Sequence, residues 1–218
     1  MGEVSMIDQA EGLRRLVGGG SLTIELLWGG TVAQRVRWLR HRLAQLWREG
    51  REPVVLDASW GDLARGLGLT ARIDLSQVMD HHARADEAVR ALDPVGVFLP
   101  AARALDDVAR GRRSQAALID CLRSLPSVPD RALLVCGAVP AATLLAWTDD
   151  SARLVLVLDG QSNTQMNAYA LIKAVKATHT TVPLALVGTD FASTKAARQL
   201  AATAKEFLGL DVTIQELA

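Results

Sequence analysis

Three short stretches hold the residue types that could bind a phosphate or act on one. The first is Trp28-Gly29-Gly30-Thr31-Val32-Ala33-Gln34-Arg35, which sits between an apolar run and a helix-periodic one. A strand-to-helix turn so placed binds phosphate when three things are present: glycines that let backbone N–H groups approach, a lysine against the charge, and a hydroxyl for magnesium. Gly29 and Gly30 meet the first need. The other two are unmet at the required spacing, because Gln34 carries no charge and Arg35 offers no magnesium ligand. The second stretch ends in Asp57, at the close of the apolar run Val54 to Leu56. A carboxylate there either orients water or metal, or caps the loop that follows. The third ends in Cys136, whose thiol cannot replace a carboxylate in holding hydrated magnesium and reads most simply as core packing.

Other chemistry is thinly represented. His81 and His82 are adjacent, so on a helix they diverge by about 100°, and Asp80 completes no familiar metal-ligand spacing. Ser21, Ser59 and Ser162 have no placed histidine and no nucleophile-elbow sequence, which argues against covalent hydrolysis. Cys121 and Cys136 are too few for a disulfide scaffold or a closed metal cage. The 24 basic residues balance the 24 acidic ones, so bulk charge points to no nucleic acid and no membrane surface. Arg35, Arg37, Arg40, Arg42 and Arg48 nonetheless gather on one segment with Trp38 and Trp47 beside its apolar stripe. They read as solvated charges and half-exposed rings, or as anchors for a protein partner. Arg110, Arg112 and Arg113 form a second basic spot of the same ambiguity.

The elements that must position these groups alternate between strand and helix. Leu22 to Trp28, Val54 to Leu56, Val95 to Leu99, Leu133 to Cys136, Leu154 to Leu158 and Leu184 to Val187 are apolar runs suited to strands covered on both faces. Val32, Val36, Leu39, Leu43 and Leu46 recur at steps of three and four, which predicts a helix over 31–48. Further helices are expected over 75–82, 105–122 (broken at the basic spot), 167–177 and 196–208, with another at 87–92, and 211–214 reads as an edge strand. A length of 218 residues and this alternation imply one α/β domain, a mostly parallel sheet with helices on both faces. Ahead of it, Asp8 and Glu11 stand at capping-box spacing before Leu13, Leu16 and Val17, and Gly18-Gly19-Gly20 follows. The spacing predicts a short helix over 7–17 on a glycine hinge. No apolar run reaches the roughly 18 residues needed to span a bilayer, and the acidic start lacks the pattern of a secretion signal. A cytoplasmic location is expected.

Four stretches resemble one family, the MinD/ParA superfamily of dimerising ATPases, and within it the flagellar-number regulators (the FlhG/FleN/YlxH group). DQAEGLRRL, Asp8 to Leu16, resembles the group's DQAxxLR element; VVLDAS, Val54 to Ser59, its VLLLDAD strand. NAYALIKAV, Asn167 to Val175, is similar to the DAYALIK helix, and KEFLGLDVTI, Lys205 to Ile214, to the RFLGLDL close. The resemblance implies a deviant phosphate-loop fold over 21–218, preceded by a docking helix and hinge over 1–20. It places the loop GKGGVGKT on Trp28 to Arg35, so that the signature lysine falls on Gly29, the phosphate lysine on Gln34 and the magnesium threonine on Arg35. The family's later-strand aspartate falls on Cys136, and Asp57 alone of the catalytic set is retained.

Loss of both lysines, the hydroxyl and the carboxylate together implies a degenerate nucleotide site at Gly29, Gly30, Gln34, Arg35 and Cys136, with no catalytic residues. No cofactor is expected; ATP with magnesium belongs to an alternative in which Arg35 stands in for lysine and gates the protein by nucleotide. The resemblance also implies that Asp8, Gln9, Ala10, Leu13, Arg14 and Arg15 bind, and activate, a signal-recognition-type GTPase of flagellar placement or another flagellar-assembly protein. A homodimer is possible on the same grounds. No basic amphipathic tail follows Ile214, so no direct membrane anchor is expected, and no nucleic-acid partner. A scaffold outside the flagellum that keeps only the fold is the remaining alternative.

Overall fold

The computed structural model describes residues 22–125, 129–137, 139–147, 152–178 and 182–217. The docking element expected over 1–20, with Asp8, Gln9, Ala10, Leu13, Arg14 and Arg15, lies outside the described residues.

The chain opens with β1 (Thr23–Gly29), α1 (Val32–Arg48) and β2 (Pro53–Asp57). Three short helices follow, α2 (Asp62–Leu67), α3 (Leu75–Met79) and α4 (Ala85–Ala88), then β3 (Arg90–Ala91) and β4 (Val97–Pro100). Helices α5 (Ala102–Ala109) and α6 (Gln115–Arg123) lead to β5 (Arg131–Val135) and α7 (Ala141–Leu145). The remainder alternates: β6 (Arg153–Val157), α8 (Ser162–Thr178), β7 (Leu184–Gly188), α9 (Phe191–Leu208) and β8 (Thr213–Glu216).

The strands form one sheet in the order β3-β4-β2-β5-β1-β6-β7-β8, parallel throughout except for the β3–β4 pair. Because side chains alternate along a strand, β1 sends Leu26 and Trp28 to one face and Leu27 to the other, and both faces are buried. Helices α1 and α2 cover the Leu27 face, while α3, α5, α6, α8 and α9 cover the Leu26 face. The α1 stripe behaves as its spacing requires: Val36, Leu39, Leu43 and Leu46 are buried against the sheet, each such side chain stabilising by about 1.5–3 kcal/mol. Its ends are set locally, by a Thr31–Gln34 capping box at the start and by Gly50 in the left-handed region just past the last turn.

One charge on this face is paired deep in the sheet. Glu25 of β1 is buried and accepts from Nε of Arg42 at 2.9 Å and again from Nη2 of the same guanidinium. The fork geometry satisfies both carboxylate oxygens, which is what makes a carboxylate tolerable there.

Four expectations are corrected. Trp38 is buried at 2 % exposure, because it points to the α1–sheet interface; Trp47, in the last turn of the helix, is 61 % exposed. The helix expected at 87–92 ends at Ala88, since Arg90 and Ala91 pair with Phe98 and Val97 as an antiparallel edge. The helix expected over 75–82 stops at Met79, and His81 takes a φ of 58°, a turn conformation; both histidines are exposed. The basic spot is no free cationic patch: Arg110 and Arg112 bind Asp106, and Arg112 and Arg113 bind Asp107, with Arg113 also reaching Asp80.

Candidate functional site

Strand order brings together what lies far apart in sequence. The turn after β1 is flanked by the carboxyl ends of β5, which supplies Cys136 and Gly137, and of β6, which supplies Val157 and Leu158; Asp57 ends β2, beyond β5. All five predicted residues of the degenerate site therefore lie along the carboxyl edge of the sheet, where open parallel sheets bind ligands. The side chains of Gln34, Arg35 and Cys136 are engaged with the backbone, and that of Gln34 also with the Thr189 hydroxyl.

Arg35 is the decisive group. It belongs to the arginines expected to be solvated or to anchor a partner, but it is only 5 % exposed, since it lies in the first turn of α1 and turns back under the β1–α1 turn. Its Nη1 donates to the carbonyl oxygens of Gly29 at 3.2 Å and of Gly30 at 2.7 Å. A phosphate seat needs N–H groups aimed inward at an anion. Here two carbonyl oxygens of the turn are aimed at a cation. Burial lowers the Arg35 pKa from its ordinary value, while Cys136, Asp62 and Asp57 nearby favour the charged form. The Nε of Arg35 is buried without a hydrogen-bond partner among the described residues.

Two amides at the head of α1, those of Thr31 and Gln34, are also committed. Gln34, in the place of the phosphate lysine, accepts from the Thr31 N–H at 2.8 Å, and the Gln34 N–H reaches the Thr31 hydroxyl at 3.3 Å. The Gln34 side-chain nitrogen then spans to the Leu158 carbonyl at 3.2 Å and the Thr189 hydroxyl at 2.9 Å. Arg37 adds a bond from Nη1 to the Thr189 carbonyl at 2.8 Å. Thus α1 is stapled to the ends of β6 and β7. Leu158 and Thr189 were missed in the sequence, because nothing local distinguishes a strand-end threonine that receives a glutamine from 155 positions away.

The two glycines have a structural reason of their own. Both take positive φ, 82° at Gly29 and 64° at Gly30. A Cβ on Gly29 would stand 2.8 Å from the Val157 carbonyl oxygen, and one on Gly30 would stand 2.6 Å from Val157 Cγ1. The close approach of the turn to β6 therefore requires glycine whether or not a ligand binds.

Asp57 acts as a cap. One carboxylate oxygen accepts from the Ser59 N–H at 2.7 Å and the Ser59 hydroxyl at 2.5 Å; the other accepts from the Ala64 N–H at 3.3 Å. The Ser59 hydroxyl in turn accepts from the Leu63 N–H at 3.0 Å, so the carboxylate organises the start of α2. Cys136 is fully buried, and its thiol donates to the Leu27 carbonyl at 3.1 Å. Burial raises its pKa to about 12 despite the neighbouring Arg35. The thiol is therefore neutral and unsuited to hold a metal.

Against what magnesium and phosphates require, the donor set does not fit. Among the described residues the turn offers no lysine, its first hydroxyl is committed to the helix cap, and a guanidinium occupies its inner side. Nor does any group of three or more His, Cys, Asp or Glu among the described residues come close enough to hold a metal ion. No helix among them is long and apolar enough to cross a membrane.

No protein-family model matches the chain, and no curated protein matches it in sequence. Solved structures do match in fold. The chain is similar to an ATP complex of a McdA variant from Cyanothece, with a TM-score of 0.59 and 16% identity over 90% of this chain and 83% of that one. It is similar to MinD in the MinC:MinD cell division complex of Aquifex aeolicus, with a TM-score of 0.60 and 15% identity over 90% and 82%. A ParA family ATPase from Chlorobium tepidum TLS gives 0.60 and 15% over 90% and 83%. The fold is thus shared with these MinD and ParA structures: the alternation of elements implied the mostly parallel sheet, and the resemblance its deviant phosphate-loop form.

Proposed function

We propose that this protein keeps the MinD/ParA fold without its nucleotide chemistry and works by contact with other proteins. The observation that carries this reading is the Arg35 guanidinium, buried in the β1–α1 turn and bonded to the Gly29 and Gly30 carbonyls. A triphosphate entering that turn would have to displace a tethered cation and reverse the polarity of the turn, with Gln34 in place of lysine to receive it. Asp57, whose oxygens are spent on Ser59 and Ala64, is a structural residue in this reading. The partner is taken from the four matching stretches of sequence: the protein regulates flagellar biosynthesis, and its Asp8–Leu16 segment binds and activates a signal-recognition-type GTPase. Arg14 and Arg15 are the groups suited to meet phosphate or carboxylate there.

Calorimetry of the full chain with ATP or ADP and magnesium tests the first half. No saturable heat and no phosphate release above buffer are expected. A micromolar Kd, or a saturable hydrolysis that Asp57→Ala abolishes, would overturn it. For the second half, the full chain should accelerate GTP hydrolysis by the flagellar GTPase, and Arg14→Ala with Arg15→Ala should remove that acceleration. Stimulation that persists in the double variant would sink the docking role.

A further inference from the structure

Beside its buried stripe, α1 carries a second one. Ala33, Arg37, Arg40, Ala44 and Trp47 recur at steps of four and three, so they stand in one line along about 21 Å of helix. Ala44 is half-buried and the other four are exposed, Trp47 at 61 %. At its head the line borders a groove of about 600 Å³ lined by Val32, Ala33, Val36, Arg37, Arg40 and Gly66. Gly66 sets the approach of the two helices there: a Cβ on it would stand 2.6 Å from Val32 Cγ1 and 2.9 Å from Val36 Cγ2. Helix α2 has only 6 residues against 17 in α1, so it can cover no more than about a third of the length of α1.

The charge on this face is unanswered. Several exposed arginines elsewhere are paired within the fold: Arg51 with Asp130, Arg65 with Asp62, Arg84 with Asp86 and Arg198 with Glu216. Arg40 has neither hydrogen bond nor ion pair among the described residues. Arg37 gives only Nη1, to the Thr189 carbonyl, and forms no ion pair among them. No carboxylate lines the groove. The line therefore offers an apolar hollow at one end, an aromatic ring at the other and two open guanidiniums between them.

We infer that α1 docks a helix of a partner protein bearing the complementary pattern: an apolar side chain for the groove, another for Trp47, and carboxylates between them for Arg37 and Arg40. Steps of four and three are the spacing at which one helix meets another along a seam. Arginine and tryptophan are the anchors that such interfaces favour. The same α1 face of a second copy is excluded by charge, since it would set guanidinium against guanidinium. A lipid surface is flat and would leave the groove unfilled. The inference goes beyond the function proposed above: it holds whether or not the β1–α1 turn accepts phosphate, and it uses no residue ahead of β1.

Fluorescence anisotropy with the full chain tests it. The probe is a labelled peptide of three heptads with leucine at a and d and glutamate at e and g; a copy carries lysine at e and g. Like charges keep either peptide from pairing with itself. The acidic peptide should bind saturably, about tenfold or more tighter than its lysine copy. Arg40 makes no contact among the described residues that the fold needs, so R40E should keep the melting temperature. It should weaken the acidic peptide about tenfold and strengthen the lysine copy. Trp47→Ala should weaken the acidic peptide several-fold, also at an unchanged melting temperature. No saturation with the acidic peptide, equal affinity for both peptides, or indifference to R40E would overturn the inference. So would R40E-sensitive binding to phosphatidylglycerol vesicles, which would assign the face to a membrane.

Discussion

Replacing Arg35 is the most informative perturbation of this molecule, because one side chain both fills the turn and satisfies it. Arg35→Ala removes two hydrogen bonds from a charged donor to the Gly29 and Gly30 carbonyls. Bonds to charged groups contribute roughly 1.5–3 kcal/mol each. Against that stands the cost of burying a guanidinium, which is real here, since burial lowers the Arg35 pKa and Nε has no partner among the described residues. The net loss on removal is therefore expected to be about 2–3 kcal/mol, a fall in Tm of about 4–12 °C for a domain of this size. The ordering of variants carries more weight than the absolute value. Arg35→Lys keeps a charge that can reach one carbonyl and should cost least, about 1 kcal/mol. Arg35→Met fills the space with apolar atoms and bars water from both carbonyls, so it should cost at least as much as Arg35→Ala, which admits water. Urea unfolding followed by tryptophan fluorescence measures all three. If Arg35→Met matched or exceeded the stability of the parent, the guanidinium would be a tolerated burden and the reasoning would be refuted.

Two further outcomes follow from neighbouring contacts. Cys136, held at a pKa of about 12 from an ordinary 9.0, stays protonated in the fold while the unfolded chain ionises, so stability is full below about pH 9 and declines as pH rises toward 12, by up to roughly 4 kcal/mol. Cys136→Ala should flatten that alkaline limb in denaturant titrations between pH 8 and 10.5, and an unchanged slope would show that the thiol does not set it. Gly66→Ala offers about 1 kcal/mol in helix propensity but drives a methyl into Val32 and Val36; a net loss of about 1–2 kcal/mol is expected by thermal melting, and a gain would show that α2 yields.

The sequence alone determined the layers of this protein. Strands covered on both faces cannot hide a polar alternation, so runs such as Leu154 to Leu158 declare themselves, and the steps of three and four from Val32 to Leu46 leave α1 no other form. It also determined what the turn lacks, because a missing lysine is missing in any fold. Short pieces escaped it. The end of the region 81–93, Arg90 and Ala91, is decided by pairing with β4, a contact between segments, and no local periodicity encodes such a pairing. Nor does helix periodicity tell an arginine that reaches water from one that turns inward: Arg35 and Arg37 sit two positions apart, and one is buried while the other is exposed. What Arg35 does was decided by the tertiary structure alone. Its carbonyl acceptors follow from the left-handed turn at Gly29 and Gly30, and its burial follows from the strand order that sets the ends of β5 and β6 on either side. A side chain's partners are fixed by which strands neighbour it, and strand order is a property of the whole chain, which no local stretch contains.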